Sequence, residues 1–531
     1  MGRTDGALKL LSDYLERNAQ LYPDKEAVLY EDQRITWKEY NEKSKVLARY
    51  LLKIGVQRHD RISYLMNTCP EWLVLYMAAS RVGAILVGCG TALMPPEIEY
   101  QVTNSESKYI FVTGGFDPSL PKKIAQIWPD CKTVKGVYQV EGDLIPGALN
   151  YYDIFKEDYM EYDDALKERE FQLDTWDGLL TVYTSGTTGK PKGALMSHRN
   201  IIISCLVESD EMDNKPDSVW MAQLPCNHVG EATELAITPM MTGAKVILLP
   251  KFSPHKTLEL IEKERISILG QVPTMFAMLF NLPDYDKYDK SSIETVYISG
   301  SPAERKLLEK MFATLSTHVT NSLGMSETAG LTTYTPKWSD IETLIKSVGK
   351  VFPELELRLV DKDRKTVHRG EIGEIAYRGD TVIKGYLANE KATKEAIDEN
   401  GWFYAGDMAM EDEDGLLIMM GRTKEMFICG GENVYPPEVE EAIRQYDKVE
   451  ECAVVAVPDP ILQEVGRAYI IPKEGCTINE EELKAYLKKN LAKYKIPHQF
   501  IFRKELPLTS IGKIEKKKLN QEVAQEYKHA S

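Results

Sequence analysis

The chain has 531 residues, of which 43% are hydrophobic and 27% are charged, and its formal net charge is −16. This length and composition predict a soluble globular protein of two to four domains. The negative charge argues against nonspecific nucleic-acid binding, which depends on neutralising phosphates with lysine and arginine. Eight cysteines without a Cys-x-x-Cys pair predict neither a zinc site nor a disulfide framework, so a reducing, cytoplasmic location is expected.

Helices and strands are predicted to alternate along the first 350 residues. Amphipathic or apolar patterns predict helices at 40–52 and 71–81. Short apolar runs predict strands at 61–65, 84–87, 109–113, 245–249, 267–269 and 295–299. This alternation is typical of α/β architecture with largely parallel sheets, in which ligands bind at loops beyond the carboxyl ends of the strands.

One apolar stretch, residues 72–94, has nearly the length of a membrane span. Arg81 lies in its middle, and a lone arginine in mid-bilayer is costly. Three glycines follow Arg81. A buried helix, followed by a turn and a strand, is therefore expected.

The pattern changes near residue 350. Short strands with Gly- and Asp-rich turns, at 356–360, 374–378 and 416–420, predict a barrel-like subdomain over about 350–422. Beyond it, helices at 439–446 and around 483–491 and strands at 453–457 and 468–471 predict a small α+β unit. We therefore expect an N-terminal domain of stacked mixed sheets with helices at 1–422, and a small mobile domain at 423–531.

The most informative segment runs from Tyr183 to Gly193, with sequence YTSGTTGKPKG, and follows an apolar run. Glycines let backbone N–H groups approach a polyanion, and successive N–H groups form an anion-binding concavity. The spacing is wrong for a Walker A loop, which needs four residues between its glycines and then Gly-Lys-Ser/Thr. An ordinary surface loop would explain the glycines but not two lysines flanking a proline, so we predict a phosphate loop.

Further segments follow in chain order. They are LPCNH at 224–228, SGSPA at 299–303, NSLGMSET at 321–328, GWFYAGD at 401–407, GRTKE at 421–425, GGEN at 430–433 and PLTSIGKI at 507–514. Together with the phosphate loop, they resemble the motifs of the adenylate-forming superfamily, which comprises acyl-CoA synthetases, peptide-synthetase adenylation domains and beetle luciferases. The resemblance covers roughly residues 20–520.

The resemblance implies that ATP, Mg²⁺ and coenzyme A are used. Glu327 would hold Mg²⁺, a hard cation that prefers oxygen ligands. Leu323 stands where the family usually has an aromatic residue against adenine. Asp407 would accept hydrogen bonds from the ribose hydroxyls. The implied nucleotide-binding residues are Thr184, Ser185, Gly186, Thr187, Thr188, Gly189, Lys192, Ser301, Pro302, Ala303, Leu323, Gly324, Ser326, Asp407 and Arg422.

Three further roles follow from the resemblance. Lys513 would be the catalytic lysine of adenylation, although by composition alone it belongs to a basic, solvated helix start. Lys424 would be the hinge about which the small domain swings, with a solvated surface charge as the alternative. Gly430 and Gly431 would line the pantetheine tunnel, because residues without side chains let a thiol arm pass close to the backbone.

His228, in the implied catalytic set with Lys513 and Glu327, would lie near the substrate carboxylate. By analogy of position, the acyl pocket would contain His228, Val229, Gly230, Glu231, Ala329 and Gly330. Glu231 could bind a cationic substrate, but we expect its side chain to point to solvent. The segments resemble the branch acting on medium-chain, carnitine-like, aromatic or alicyclic acids, which implies a medium-sized apolar acid.

The implied activity is that of an AMP-forming carboxylate–CoA ligase: acid and ATP give acyl-AMP and pyrophosphate, and the CoA thiol then displaces AMP. One alternative is an adenylation enzyme that loads a carrier protein. A second is a catalytically silent binding protein on the same fold, against which the intact Glu327, Asp407, Arg422 and Lys513 argue. A monomer and a homo-oligomer are both compatible with the sequence.

Overall fold

A computed structural model describes residues 4, 6–184, 190–301, 303–429, 432–508 and 513–528. The chain divides into two compact units. Unit 1 comprises residues 1–356 and 377–403, and unit 2 comprises residues 357–376 and 404–531.

The α-helices of the described residues follow the predicted alternation with strands. They are α1 Leu11–Leu21, α2 Trp37–Lys53, α3 Pro70–Val82, α4 Pro95–Asn104, α5 Ser119–Ile127, α6 Asp163–Gln172, α7 His198–Glu211, α8 Pro254–Glu264, α9 Pro273–Phe280, α10 Arg305–Thr314, α11 Ile341–Lys346, α12 Glu390–Ala396, α13 Pro436–Arg444, α14 Glu480–Asn490 and α15 Lys516–Lys528.

Most of the strands are short, and β25 and β26 are the longest. Those of unit 1 up to the phosphate loop are β1 Glu26–Tyr30, β2 Gln33–Thr36, β3 Arg61–Leu65, β4 Ile85–Gly88, β5 Tyr109–Thr113, β6 Gly136–Val140, β7 Leu149–Asn150 and β8 Gly178–Thr184. After the loop come β9 Lys192–Ser197, β10 Val219–Ala222, β11 Lys245–Leu248, β12 Ile268–Gln271, β13 Thr295–Ser299, β14 Val319–Ser322, β15 Gly324–Met325, β16 Gly330–Leu331, β17 Thr333–Tyr334 and β18 Lys350–Val351. The remaining strands are β19 Leu355–Val360, β20 Ile372–Gly379, β21 Phe403–Glu411, β22 Leu417–Arg422, β23 Phe427–Cys429, β24 Glu432–Val434, β25 Val449–Asp459, β26 Gln463–Pro472 and β27 Gln499–Phe502.

Two seven-stranded mixed sheets form the frame of unit 1. The first has the order β7-β6-β5-β3-β4-β8-β9, and the second has the order β14-β13-β12-β10-β11-β1-β2. Each is parallel except at one edge, where β9 pairs antiparallel with β8 and β2 pairs antiparallel with β1. The predicted α/β fold with mixed sheets is confirmed. Most of its parallel strands are buried apolar runs, as expected for strands covered on both faces.

The apolar stretch 72–94 forms a buried helix, a turn and a strand, as predicted. Helix α3 is buried on nearly every face, and Gly83 ends it in the left-handed conformation at φ 72°. Arg81 is 3% exposed because it is paired: one nitrogen lies 2.6 Å from Glu170 Oε1, and another donates to Asn41 Oδ1 at 2.5 Å. Within the described residues, no helix has both the length and the hydropathy to cross a bilayer.

Unit 2 contains a five-stranded sheet in which β24, β23, β26 and β25 are neighbours and β27 pairs with β26. Helices α13, α14 and α15 contribute apolar side chains to its core, including Ile443, Leu487 and Leu519. This confirms the predicted small α+β region. A four-stranded sheet has the order β19-β20-β21-β22, and β21 and β22 are antiparallel.

The eight cysteines are all free thiols. Seven are buried, and only Cys476, in a turn of unit 2, is exposed. Burial raises the pKa of the Cys89 thiol to about 12, which leaves it protonated and unreactive.

Candidate functional site

The phosphate loop connects two paired strands of unit 1. Strands β8 and β9 are antiparallel, and Thr184 and Lys192 are partners at the ends nearest the loop. The predicted contacts Ser185, Gly186, Thr187, Thr188 and Gly189 lie outside the described residues. The pairing fixes the two chain ends of the loop at the carboxyl end of β8, where ligands bind in α/β sheets.

Glu327, the predicted Mg²⁺ ligand, lies in a single helical turn and is held by Tyr386. The Tyr386 hydroxyl donates a hydrogen bond of 2.9 Å to Glu327 Oε1, and the Ile383 backbone N–H donates to the Glu327 carbonyl oxygen at 3.0 Å. Lys192 Nζ lies 5.3 Å from the centre of the Tyr386 ring, within the range of a cation–π interaction. Tyr386 therefore brings the loop lysine and the acidic residue together. Sequence reasoning missed Tyr386, whose only local signal is an aromatic residue after Gly385.

The oxygen chemistry around Glu327 fits Mg²⁺. Among the described residues, no group of three or more His, Cys, Asp or Glu side chains is arranged to hold a metal ion. Mg²⁺ is commonly bound by one or two carboxylates plus water and substrate phosphates rather than by an all-protein cage. A hydrogen bond from Tyr386 to one carboxylate oxygen orients the ligand, as outer-shell partners do at metal sites.

The segments predicted to contact the base lie at strand ends in unit 1. Leu323 is half-buried, and its N–H donates to Thr333 Oγ1 at 3.1 Å. Gly324 begins β15, which pairs with β16, and Ser326 follows and is 8% exposed. Ser301 and the buried Ala303 follow β13. Pro302 lies outside the described residues.

His228 has a defined ring orientation. Its backbone N–H donates to the Pro225 carbonyl oxygen at 2.9 Å, and the Gly230 N–H donates to His228 Nδ1 at 3.1 Å. Because Nδ1 accepts a hydrogen bond, the proton of the neutral ring lies on Nε2. The ring is half-buried, so His228 presents a donor rather than an acceptor at its outer nitrogen.

The expectation that Glu231 points to solvent is wrong. Its side chain is completely buried, and Oε2 accepts a hydrogen bond of 2.9 Å from the Leu224 N–H. Burial raises the pKa of Glu231 to about 8. The sequence shows only an acidic residue, whereas its burial follows from the π-helical turn Gly230–Leu235. The other predicted pocket residues, Val229, Gly230, Ala329 and Gly330, are also buried.

Unit 2 brings together three of the predicted nucleotide and catalytic residues. Asp407 on β21 and Arg422 at the end of β22 are strand partners, and Arg422 Nε lies 3.1 Å from Asp407 Oδ1. Lys513 lies close enough for its charge to interact with both. Its pKa is lowered by partial desolvation and by the like charge of Arg422, and Asp407 opposes this, although the side chain still reaches solvent.

Neighbouring lysines differ from Lys513. Lys516 is tied within unit 2 to two carboxylates, with Nζ 3.0 Å from Glu425 Oε2 and 2.8 Å from Glu440 Oε1. Lys424 is exposed. Gly430 and Gly431 lie outside the described residues, and the strands on either side of them, β23 and β24, pair antiparallel. The ion pairs of Lys516 therefore distinguish it from Lys513, whereas the composition of the segment does not distinguish the two lysines.

The chain is similar to known proteins over nearly its whole length. The AMP-binding enzyme family matches residues 15–387, and the AMP-binding enzyme C-terminal domain matches residues 438–513. The putative acyl-CoA synthetase YngI of Bacillus subtilis is 31% identical over 97% of both chains. The mitochondrial medium-chain acyl-CoA ligase ACSF2 of Mus musculus is 31% identical over 99% of this chain and 90% of its own. A crystal structure of the anthranilate CoA ligase AuaEII with anthranoyl-AMP has a TM-score of 0.84 and 25% identity, covering 98% of this chain and 99% of its own.

The chain therefore belongs to the AMP-binding enzyme family, the adenylate-forming enzymes. Its reaction is ATP-dependent, AMP-forming synthesis of an acyl-CoA, with a carboxylic acid, ATP, Mg²⁺ and coenzyme A as the reacting set.

Proposed function

We propose that the chain activates a medium-sized apolar, alicyclic or aromatic carboxylic acid, first as its acyl-AMP and then as its acyl-CoA. The buried Val229, Ala329 and Gly330 support this size and polarity, because they offer small and aliphatic surface beside His228. The names of the medium-chain and anthranilate ligases among the similar proteins point in the same direction. The outer N–H of His228 is suited to donate to a carboxylate oxygen of the acid.

The observation that carries the proposal is the grouping of Lys513, Arg422 and Asp407 in unit 2. In the first step, a carboxylate oxygen attacks the α-phosphorus and the bond to pyrophosphate breaks. Such transfers depend on positioning and charge neutralisation rather than on covalent catalysis. Lys513 would stabilise the growing negative charge, and Asp407 would accept hydrogen bonds from ribose hydroxyls because a carboxylate is purely an acceptor.

In unit 1, the phosphate loop and Lys192 would neutralise the departing pyrophosphate, and Glu327 would hold Mg²⁺ through a carboxylate oxygen. Bound there, the ion supplies Lewis-acid charge neutralisation to the phosphates. Tyr386 keeps Glu327 oriented by its hydrogen bond. Ser326 would contact a phosphate oxygen.

The second step would use the small domain differently. The CoA thiol attacks the acyl carbon and expels AMP, and Gly430 and Gly431 would let the pantetheine arm pass. Lys424 would be the hinge, with residues 423–531 moving as a body between the steps, as in other hinge-type transitions. The exposure of Lys424 is compatible with a hinge position.

Separate measurement of the two half-reactions tests the assignment. Replacing Lys513 with alanine should slow acyl-AMP formation by about 10²–10³-fold, the usual cost of losing one preorganised electrostatic contact. Formation of acyl-CoA from supplied acyl-AMP should be largely retained. Lys517→Ala, an exposed lysine four residues away, is the matched control and should leave both rates unchanged. Equal loss of both half-reactions in Lys513→Ala would refute the role.

The acceptor is the second point to test. An enzyme that loads a carrier protein would release AMP with a carrier protein but not with free CoA. Measuring AMP release with each of the two thiols therefore distinguishes such an enzyme from a CoA ligase. A silent binding protein would show no carboxylate-dependent exchange of labelled pyrophosphate into ATP with any acid of a panel.

We also propose a cytoplasmic location. Eight free thiols and the bacterial relative support it, whereas the mouse relative is named as mitochondrial. Fractionation of the source cells, followed by immunodetection, would place the protein directly.

A further inference from the structure

Three buried glutamates lie near the predicted acyl pocket in unit 1. Glu208 on α7 and Glu231 and Glu234 on the π-helical turn are 1%, 0% and 6% exposed. None of the three forms an ion pair with a lysine, arginine or histidine of the described residues. Buried carboxyls are ordinarily paired or fully hydrogen-bonded, so this group is unusual for a structural core.

Their hydrogen bonding is incomplete. Glu208 Oε2 accepts from Thr238 Oγ1 at 2.8 Å, but Glu208 Oε1 and the hydroxyl of Tyr297 are buried without a partner among the described residues. Burial raises the pKa of Tyr297, and the carboxyls of Glu208 and Glu234 raise it further, so these groups face one another. The Tyr297 hydroxyl thus adds an uncharged polar group to the three carboxyls of the cluster.

Glu234 differs from its two neighbours because its carboxyl makes no hydrogen bond with any described residue. A Cβ built on Gly330 would lie 3.5 Å from Glu234 Cγ, and one built on Gly230 would lie 3.7 Å from Glu234 Oε2. The same point at Gly230 is 3.4 Å from His228 Nδ1. The Glu234 carboxyl therefore lies beside two glycines and the histidine of the predicted acyl pocket. Gly330 is closely packed, since a Cβ there would lie 2.7 Å from Ser204 Oγ.

We propose that Glu234 is a specificity-determining residue that binds a positively charged nitrogen on the acyl part of the substrate, so that the preferred acid is zwitterionic. This inference rests on the proposed function and narrows its substrate class to alicyclic or aromatic acids that carry a cationic nitrogen, in place of a wholly apolar acid. An ammonium group brings a full charge and several N–H donors, which would satisfy the Glu234 carboxylate. A purely aliphatic acid would leave the Glu234 carboxyl buried and unpaired, which is costly.

Two acids of matched shape test the proposal with the full-length enzyme. 4-(Aminomethyl)benzoate and 4-ethylbenzoate differ in placing an ammonium or a methyl at the same position. We expect kcat/KM, measured as CoA-dependent AMP release, to favour the amine at least about tenfold. Glu234→Gln keeps the side-chain shape but cannot ionise, and it should reduce this ratio about tenfold or more. Glu309→Gln, on an exposed face of α10, should leave the ratio unchanged.

Isothermal titration calorimetry with the same two acids gives the ratio of Kd values independently of turnover, so slow catalysis does not obscure the result. The inference is overturned if the unaltered enzyme has nearly equal kcat/KM and Kd values for 4-(aminomethyl)benzoate and 4-ethylbenzoate. It is also overturned if the Glu234→Gln variant keeps the full preference for the amine. Equal affinity for 4-(hydroxymethyl)benzoate and the amine overturns the requirement for charge. Failure of the proposed function looks different: no acid would yield AMP or acyl-CoA, whatever the binding ratio.

Discussion

The Tyr386 hydroxyl donates a hydrogen bond of 2.9 Å to a carboxylate oxygen of Glu327, which lies 59 residues earlier in the sequence. Its ring lies beneath the ammonium group of Lys192. Burial and the neighbouring carboxylate both raise the pKa of Tyr386, so it remains a protonated donor at any physiological pH. A single neutral side chain thereby contacts both an acidic and a basic residue of the predicted site.

Replacing Tyr386 with phenylalanine should raise the Mg²⁺ concentration needed for half-maximal acyl-AMP formation about tenfold or more. Losing a residue that is hydrogen-bonded to a metal ligand typically lowers metal affinity or activity by about 10–100-fold. The ring beneath Lys192 is retained, so the effect isolates the hydroxyl. The assay is pyrophosphate exchange against Mg²⁺ titration. Tyr152→Phe removes a comparable tyrosine–glutamate hydrogen bond, to Glu71 at 3.0 Å, and should leave the titration unchanged.

The alkaline limb of adenylation should respond in opposite directions to changes at Arg422 and Asp407. In the proposed mechanism Lys513 must be protonated to neutralise charge. Arg422 lowers the pKa of Lys513, and Asp407 raises it. Arg422→Ala should therefore move the limb to higher pH, and Asp407→Asn should move it to lower pH. Rates at each pH, normalised to the maximum for each variant, separate this shift from loss of nucleotide binding.

The matched control for that pH profile is Arg503→Ala. Arg503 belongs to unit 2 and is paired with Glu522 at 2.5 Å, but its charge does not contribute to the pKa of Lys513. If the alkaline limb stays at the same pH in both Arg422→Ala and Asp407→Asn, Lys513 is not the titrating group.

Glu231→Gln should flatten the pH dependence of stability. The ordinary pKa of a glutamate side chain is 4.5 and burial raises that of Glu231 to about 8, so the folded state holds a proton that the unfolded state releases. Its contribution to stability is full below pH 4.5 and is lost as pH rises to about 8, by up to about 1.4 kcal/mol per pH unit. Glutamine retains the oxygen that accepts from the Leu224 N–H and cannot ionise.

Urea unfolding at pH 5, 6, 7 and 8 measures this difference directly. The stability of Glu231→Gln relative to the unaltered chain should increase with pH across this range. The exposed Glu309→Gln should follow the unaltered chain at every pH. Parallel curves for all three proteins would show that Glu231 is ionised in the folded state.

Leu323→Tyr should strengthen nucleotide binding. An aliphatic side chain packs on a purine without offset stacking, and stacking between aromatic rings contributes about 0.5–1.5 kcal/mol beyond area burial. This corresponds to an expected decrease of about 2–10-fold in the Kd of AMP, measurable by calorimetry. Leu144→Tyr, at an exposed position, should leave that Kd unchanged. An unchanged Kd in Leu323→Tyr would place Leu323 away from the base.

The sequence predicted the frame of the protein well because the core strands are short, apolar and buried. The strands predicted at 61–65, 109–113 and 295–299 agree with the structure at both ends. Helix boundaries were less accurate: α3 and α13 begin at Pro70 and Pro436, before the first residues predicted. Proline is favoured in the first turn because its missing N–H has no intrahelical partner there.

The site was predicted through local motifs, and its remaining features depend on contacts between distant segments. The contact of Tyr386 with Glu327 and the burial of Glu231 arise from packing that no local pattern encodes. The difference between Lys513 and Lys516 likewise depends on a distant residue, because Lys516 pairs with Glu440 of helix α13. The motifs predict which residues would carry the chemistry, whereas the contacts of those residues are given only by the structure.

The uneven burial of the cysteines has a practical consequence. Cys476 alone is accessible, so a maleimide dye should attach at one position per chain without any prior substitution. The label would report on unit 2 alone. Adding a second dye on an introduced surface cysteine of unit 1 would then allow the distance between two known points to be followed by energy transfer through one catalytic cycle.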